Sequence, residues 1–219
     1  MRNFQLELAH GLCVGVRIPQ GGPLETWVDW LHVEEQKFAA TLGLPRRATW
    51  VAGRAALRQA LNRVGVRCGP VLVTDRGAPL LPEGVTGSIS HKSLIAVAIV
   101  AREPGARIGI DIEALEPPRE GIERKVLTPE EMSKWRLLPQ ERRCNDTILR
   151  FSIKEAIYKA IDPFLRRIVD YQEVSVFPRK DGGVRVSARL ERHLEIEASW
   201  QFLEGYVITT SRAREPRPA

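Results

Sequence analysis

The sequence predicts an α+β fold, on three observations. Apolar residues recur at helical spacing and then in strict alternation, in that order, in both halves of the chain. The alternating stretches are separated by short turns containing Gly or Pro, which suits antiparallel strands. At 219 residues, 43% hydrophobic and 27% charged, the chain is long enough for one sizeable core or two small subdomains. Helix followed by strands in each half leaves room for two related subdomains, 1–103 and 104–211, meeting near residues 101–105, with 212–219 as a flexible tail of Arg and Pro.

Phe4, Leu6 and Leu8 alternate with polar residues, and Val14, Val16 and Ile18 do so again after Gly11, predicting two opening strands ended by Gly21, Gly22 and Pro23. Trp27, Leu31, Phe38 and Leu42 give residues 24–42 a helical spacing, closed by Gly43 and Pro45. A second helix follows over 46–64. Ala56, Leu57, Ala60, Leu61 and Val64 form its buried face, and Arg47, Arg54 and Arg58 gather on another side. Such a stripe is most often a solvated face. Beside Gly53, which would let a ligand approach the backbone closely, it is also a candidate anion site. Residues 71–73 read as a short strand and 75–79, Asp-Arg-Gly-Ala-Pro, as a turn with one exposed cation, Arg76. Residues 85–91 and 94–101 read as strands, the second an unbroken apolar run that suits burial on both faces, with His91 at their junction.

Residues 107–113, Arg-Ile-Gly-Ile-Asp-Ile-Glu, form the cleanest strand. Ile108, Ile110 and Ile112 face one way; Gly109, Asp111 and Glu113 face the other. Two carboxylates side by side repel each other unless a cation sits near them. An exposed, charged edge strand would account for them, but acids alone are odd in a basic chain, and an all-oxygen set with water suits Mg²⁺ holding a phosphate substrate. Thr128, Pro129 and Glu131 open a helix with a capping box, which explains Glu131 without chemistry. A further helix over 146–162 is stopped by Pro163. It carries Phe-Ser-Ile-Lys-Glu-Ala-Ile-Tyr-Lys at 151–159, where Glu155 and Lys159 share a face opposite Leu149, Ile153, Ala156 and Ala160. The pair is therefore directed to a cleft or to solvent. Residues 174–177, 183–190, 196–202 and 206–210 alternate as antiparallel strands.

The net charge of +6 and a sequence pI near 9.5 imply an anionic partner such as nucleic acid, a membrane surface, a phosphorylated ligand or an acidic protein. Cys13, Cys68 and Cys144 are odd in number and lack a CxxC pair, so a disulfide framework or a zinc site is not expected. No apolar run reaches the roughly 18 residues of a membrane span. These features place the chain in the reducing cytoplasm.

The stretches at 108–113 and 151–159 together make the chain resemble the phosphopantetheinyl transferase superfamily. Arg54 in Ala-Gly-Arg, the Arg-Gly-Ala-Pro turn at 76–79 and Gly-Ser-Ile-Ser-His at 87–91 point to its surfactin- and enterobactin-type branch. The resemblance covers residues 46–159 and implies a pseudo-twofold pair of similar α+β subdomains, monomeric, with coenzyme A and Mg²⁺ in the cleft between them. It implies transfer of 4'-phosphopantetheine from coenzyme A to a serine of an apo acyl or peptidyl carrier protein, releasing adenosine 3',5'-bisphosphate. By similarity Asp111, Glu113 and Glu155 are the metal ligands. Lys154 and Lys159 hold coenzyme A phosphates, while His91, Arg54 and an arginine at Arg46 or Arg47 bind the ribose phosphate. Arg76, Gly77 and Pro79 wall the adenine, Ser90 adds a contact, and Glu131 is associated with the metal or with activating the serine. Phe151 stands where many relatives carry tryptophan. Residues 119–144, where carrier contacts are expected, show no readable motif.

Attack on a pyrophosphate needs a cation to neutralise oxygen charge, and Lys159 suits the departing phosphate. The base for the serine is Glu155, Glu131 or a metal-bound water. A Mg²⁺-dependent nucleotide phosphohydrolase would use the same carboxylates with water in place of serine. A basic nucleic-acid-binding module would call for aromatics interleaved with cations, and aromatic residues make up only 6% of the chain without such an array.

Overall fold

The computed structural model describes residues 3–19, 25–92 and 94–216. Strands β1 (Phe4–Leu8) and β2 (Gly11–Arg17) open the chain, followed by helices α1 (Glu25–Asp29), α2 (Val33–Ala40) and α3 (Leu44–Arg63) and strands β3 (Thr86–Lys92) and β4 (Ile95–Ala101). The second half holds β5 (Ala106–Ala114), α4 (Ile122–Val126), α5 (Pro129–Arg136), the long α6 (Gln140–Leu165), a 3₁₀ turn at Tyr171–Glu173, and strands β6 (Val174–Pro178), β7 (Val184–Ala188), β8 (Glu195–Leu203) and β9 (Tyr206–Arg214).

The first half is a four-stranded antiparallel sheet in the order β1-β2-β4-β3. On one face α3 lays Val51, Ala52, Ala55 and Ala56 against Val14, Val16, Ala96, Ala98 and Val100. The second half sets α6 on a three-stranded sheet, β5-β9-β8, with the β6-β7 hairpin beside it. Each half is thus one long helix on an antiparallel sheet. Between them lies an apolar seam of Cys13, Ile95, Val97 and Ile99 from the first sheet and Ile108, Ile110, Ile112 and Ile208 from the second. This explains why 95–100 is an unbroken apolar run: even-numbered side chains meet α3 and odd-numbered ones meet the seam.

Strand β5 ends the β5-β9-β8 order, but the seam covers one of its faces and α6 the other, so an exposed, charged edge does not account for its acids. The isoleucines fill the seam, while Gly109 and Asp111 face α6. A Cβ on Gly109 would stand 1.9 Å from the Ala156 carbonyl oxygen, so only glycine lets strand and helix come this close.

Several expectations need correcting. The helix over 24–42 is two short helices, and its first residue, like the strand-ending Gly21, Gly22 and Pro23, lies outside the described residues. The strand at 71–73 is reduced to a single bridge between Val73 and Pro79. Helix α6 starts earlier, at Gln140, and runs past Pro163 to Leu165. That proline falls in the last turn, where it forfeits little of the hydrogen-bond ladder, and the stop comes from Arg166 in the left-handed conformation at φ 51°. The expected tail from 212 is in part strand: β9 continues to Arg214, with Ala213 buried and Arg212 and Arg214 paired to Glu103, Glu197 and Glu195. Residues 217–219 lie outside the described residues.

Candidate active site

A cavity of about 490 Å³ opens between the halves. From the first half α3 contributes Arg46, Trp50, Gly53 and Arg54, the 73–79 loop contributes Arg76, Gly77 and Pro79, and β3 contributes His91; α6 closes it with Tyr158, Lys159 and Asp162.

Arg54 is 3% exposed, its guanidinium carbon lies 4.9 Å from the Trp50 ring centroid, and its Nη1 is buried without a hydrogen-bond partner among the described residues. Burial, partly offset by Glu35, lowers its pKa to about 10, so it is a cation at neutral pH. A buried cation with an unfilled donor on a cavity wall is suited to an anion. Of the two arginines left open by the sequence, Arg46 lines the cavity and Arg47 does not. Arg58 leaves the expected stripe altogether: its Nε donates to the fully buried Glu35 at 3.0 Å and its Nη2 to the Gly69 carbonyl at 3.1 Å. Arg76 donates to both oxygens of Asp162, from Nε at 2.8 Å to each and from Nη2 at 2.6 Å to Oδ1. Burial, and next the charge of Lys159, hold the His91 imidazole below its usual range.

Asp111 is 4% exposed and fully engaged: Oδ1 accepts from Ser90 Oγ at 2.8 Å and Lys159 Nζ at 2.9 Å, and Oδ2 from Ser152 Oγ at 2.8 Å. Lys159 also donates to the Ile110 carbonyl at 2.9 Å. Glu113 pairs with Lys92 at 2.5 Å, and Glu155 accepts the Tyr171 hydroxyl. Burial first, and also repulsion from Asp111, raise the Glu113 carboxyl, while Lys92 opposes the shift. Burial and then the Glu155 bond push the Tyr171 hydroxyl up, which keeps it a donor.

Three of the expected site residues are buried and bonded away from the cavity. Lys154 is wholly buried, with its ammonium on the Val126 carbonyl, Glu131 Oε2 and the Tyr171 carbonyl at 2.7, 2.8 and 2.8 Å, so no donor remains for a coenzyme phosphate. Glu131 is buried with it; besides capping α5 through the Thr128 N–H, it accepts the Val176 N–H, so both of its oxygens are engaged within the fold. Ser90 is 8% exposed and spends its hydroxyl on Asp111 instead of on a ligand. Strand alternation is the reason: Gly87, Ile89 and His91 alternate with Ser88 and Ser90, whose burial is deeper. Sequence reasoning missed Ser152, Tyr171, Lys92 and Asp162. Of these, Ser152 alone sits in a quoted motif.

The donor chemistry of Asp111, Glu113 and Glu155 suits a hard divalent ion, since all are carboxylates and two share one strand face under mutual repulsion. As the side chains stand, Lys92 and Lys159 supply the neutralising charge, and no three metal-binding side chains converge among the described residues.

Comparison with known proteins bears on the same segments. Residues 34–101 match the 4'-phosphopantetheinyl transferase N-terminal domain, and residues 107–211 match the 4'-phosphopantetheinyl transferase superfamily. The chain is 33% identical over 202 residues to the 4'-phosphopantetheinyl transferase Svp of Streptomyces mobaraensis, covering 86% of this chain and 81% of that protein. It is 31% identical over 183 residues to PptT of Mycobacterium tuberculosis, covering 83% and 78% respectively. Enterobactin synthase component D of Escherichia coli is 33% identical over 193 residues, 82% of either chain. The cleft is therefore lined by both matched segments, and the chain belongs to the 4'-phosphopantetheinyl transferase superfamily.

Proposed function

We propose that this chain binds coenzyme A in the cleft and transfers its 4'-phosphopantetheine arm to a serine hydroxyl of an apo carrier protein. The observation that supports this most is the buried, unpartnered Arg54 donor on the cavity wall, with Arg46 and His91 lining the same cavity. These three form the seat for the ribose phosphate, and Gly77, Pro79 and the Asp162-held Arg76 wall the adenine. The pyrophosphate then lies toward Lys159, the cation that reaches both the cavity and Asp111.

The serine oxygen attacks the β-phosphorus, the bond to the bridging oxygen breaks, and adenosine 3',5'-bisphosphate leaves with the electron pair. With Glu131 buried, Glu155 is the carboxylate left to take the serine proton, oriented by Tyr171. Lys159 stabilises the charge that grows on the departing phosphate. Asp111, Glu113 and Glu155 are the residues that would hold Mg²⁺, which would neutralise the pyrophosphate oxygens. Both halves of one chain complete the cleft, consistent with a monomer. Three free cysteines fit a reducing cytoplasm, and no described helix is long and apolar enough to cross a membrane.

The test is intact mass spectrometry of apo acyl and peptidyl carrier proteins incubated with the chain, coenzyme A and Mg²⁺. One added phosphopantetheine is expected, and it should be absent with Asp111→Ala. Release of adenosine bisphosphate without carrier labelling would favour a phosphohydrolase instead.

A further inference from the structure

Lys154 stands next to Glu155 in sequence yet contributes nothing to the cavity. Its three donors are all used, on the carbonyl of Val126 at the end of α4, on Glu131 of α5, and on the carbonyl of Tyr171. Glu131 is filled in turn by the N–H groups of Thr128 and Val176, both at 2.7 Å, so it ties the cap of α5 to β6. An ammonium and a carboxylate without exposure are tolerated only when every donor and acceptor is satisfied, as here.

Tyr171 links this network to Glu155, which stands one helical turn before the cavity-lining Lys159. Its carbonyl is held by Lys154, its hydroxyl donates to Glu155, and its ring packs against Phe151 and Tyr158 at centroid separations of 6.0 and 5.4 Å. Tyr171 is thus held at its backbone and at the tip of its side chain, which donates to the Glu155 carboxylate. We propose that Lys154 and Glu131 are positioning residues for the transfer, acting through Tyr171 to hold Glu155 at the cleft. The inference rests on the transfer reading above.

Two variants test it. Tyr171→Phe removes only the hydroxyl, and the double change Lys154→Met with Glu131→Gln removes both buried charges together, leaving neither unpaired. Both are expected to bind coenzyme A within about twofold of wild type by calorimetry while kcat falls about tenfold, the signature of a lost positioning contact and not of a lost ligand contact. A large rise in the coenzyme A Kd of the double variant with kcat unchanged would make Lys154 a ligand contact and overturn the proposal. An unchanged kcat in folded Tyr171→Phe would overturn it too. Urea unfolding of the single and double variants needs no substrate: each single change is expected to destabilise more than the double, and additive shifts would disprove the buried pair. A wild-type chain that labels no carrier would count against the transfer reading alone, because the unfolding cycle would still decide the pair.

Discussion

Gly109 and two histidines show what single residues decide. With a Cβ at Gly109 placed 1.9 Å from a backbone oxygen of α6, Gly109→Ala must push β5 from the helix. The expected cost is about 1–3 kcal/mol or more by urea unfolding, with a loss of transfer beyond it, because Asp111 and Lys159 sit on the separated elements. His91, held below its ordinary pKa of 6.5, is neutral at pH 7, and a phosphate dianion favours the imidazolium. Coenzyme A affinity should therefore rise as pH falls below 6.5, and His91→Gln should abolish that rise in calorimetric titrations. His10 acts on stability instead. It is buried at the β1–β2 turn, bonded to Thr210 Oγ1 at 2.8 Å, and burial followed by the charge of Arg212 depresses its pKa. The unfolded chain then binds the extra proton, so the stabilisation is complete above pH 6.5 and is lost as pH falls from there toward the folded pKa. His10→Gln should flatten acid unfolding over that window.

Helix α6 decides which parts of the site could be read from sequence. Periodicity placed Glu155 and Lys159 opposite Ile153 and Ala160, and both of those apolar residues are buried. What periodicity misses is that this helix has neighbours on several sides. Arg150 lies toward β6 and Lys154 toward α4, α5 and the Tyr171 turn, where a carboxylate and two carbonyls meet it, and nothing in the spacing of a lysine announces a buried acid 23 residues earlier. Glu131 was legible as a cap, which it is, but a cap can also be a buried counter-ion. Tyr171 and Asp162 were illegible for a related reason: each works through a partner distant in sequence, Glu155 by 16 residues and Arg76 by 86. Strands were easier, because alternation reports directly on burial. The run at 95–100 was readable as buried twice, although the seam that buries it was not. Ile153→Ala should cost about 2–5 kcal/mol of stability by urea unfolding, with the remaining folded fraction keeping its affinity for coenzyme A, since Ile153 faces the core and not the cleft.

The whole molecule is two helix-on-sheet halves joined by an isoleucine seam and tied across the cleft by Arg76 with Asp162 and Arg166 with Asp75. Its net charge of +6 acquires a purpose when some of those cations line the cleft. Lys92 and Lys159 already neutralise Glu113 and Asp111, so if Mg²⁺ binds as proposed, a chelator should stop transfer while lowering the thermal midpoint only slightly. Everything rests on the cleft being the coenzyme A site, with Arg54 as its phosphate seat. The most direct measurement is calorimetric titration of coenzyme A and of dephospho-coenzyme A, which lacks the ribose phosphate, into wild type and Arg54→Met. Wild type should prefer coenzyme A by about tenfold or more, the worth of a hydrogen bond to a charged group, and Arg54→Met should bind the two alike. Equal affinity of wild type for both, or a preference that survives the loss of Arg54, would contradict the account.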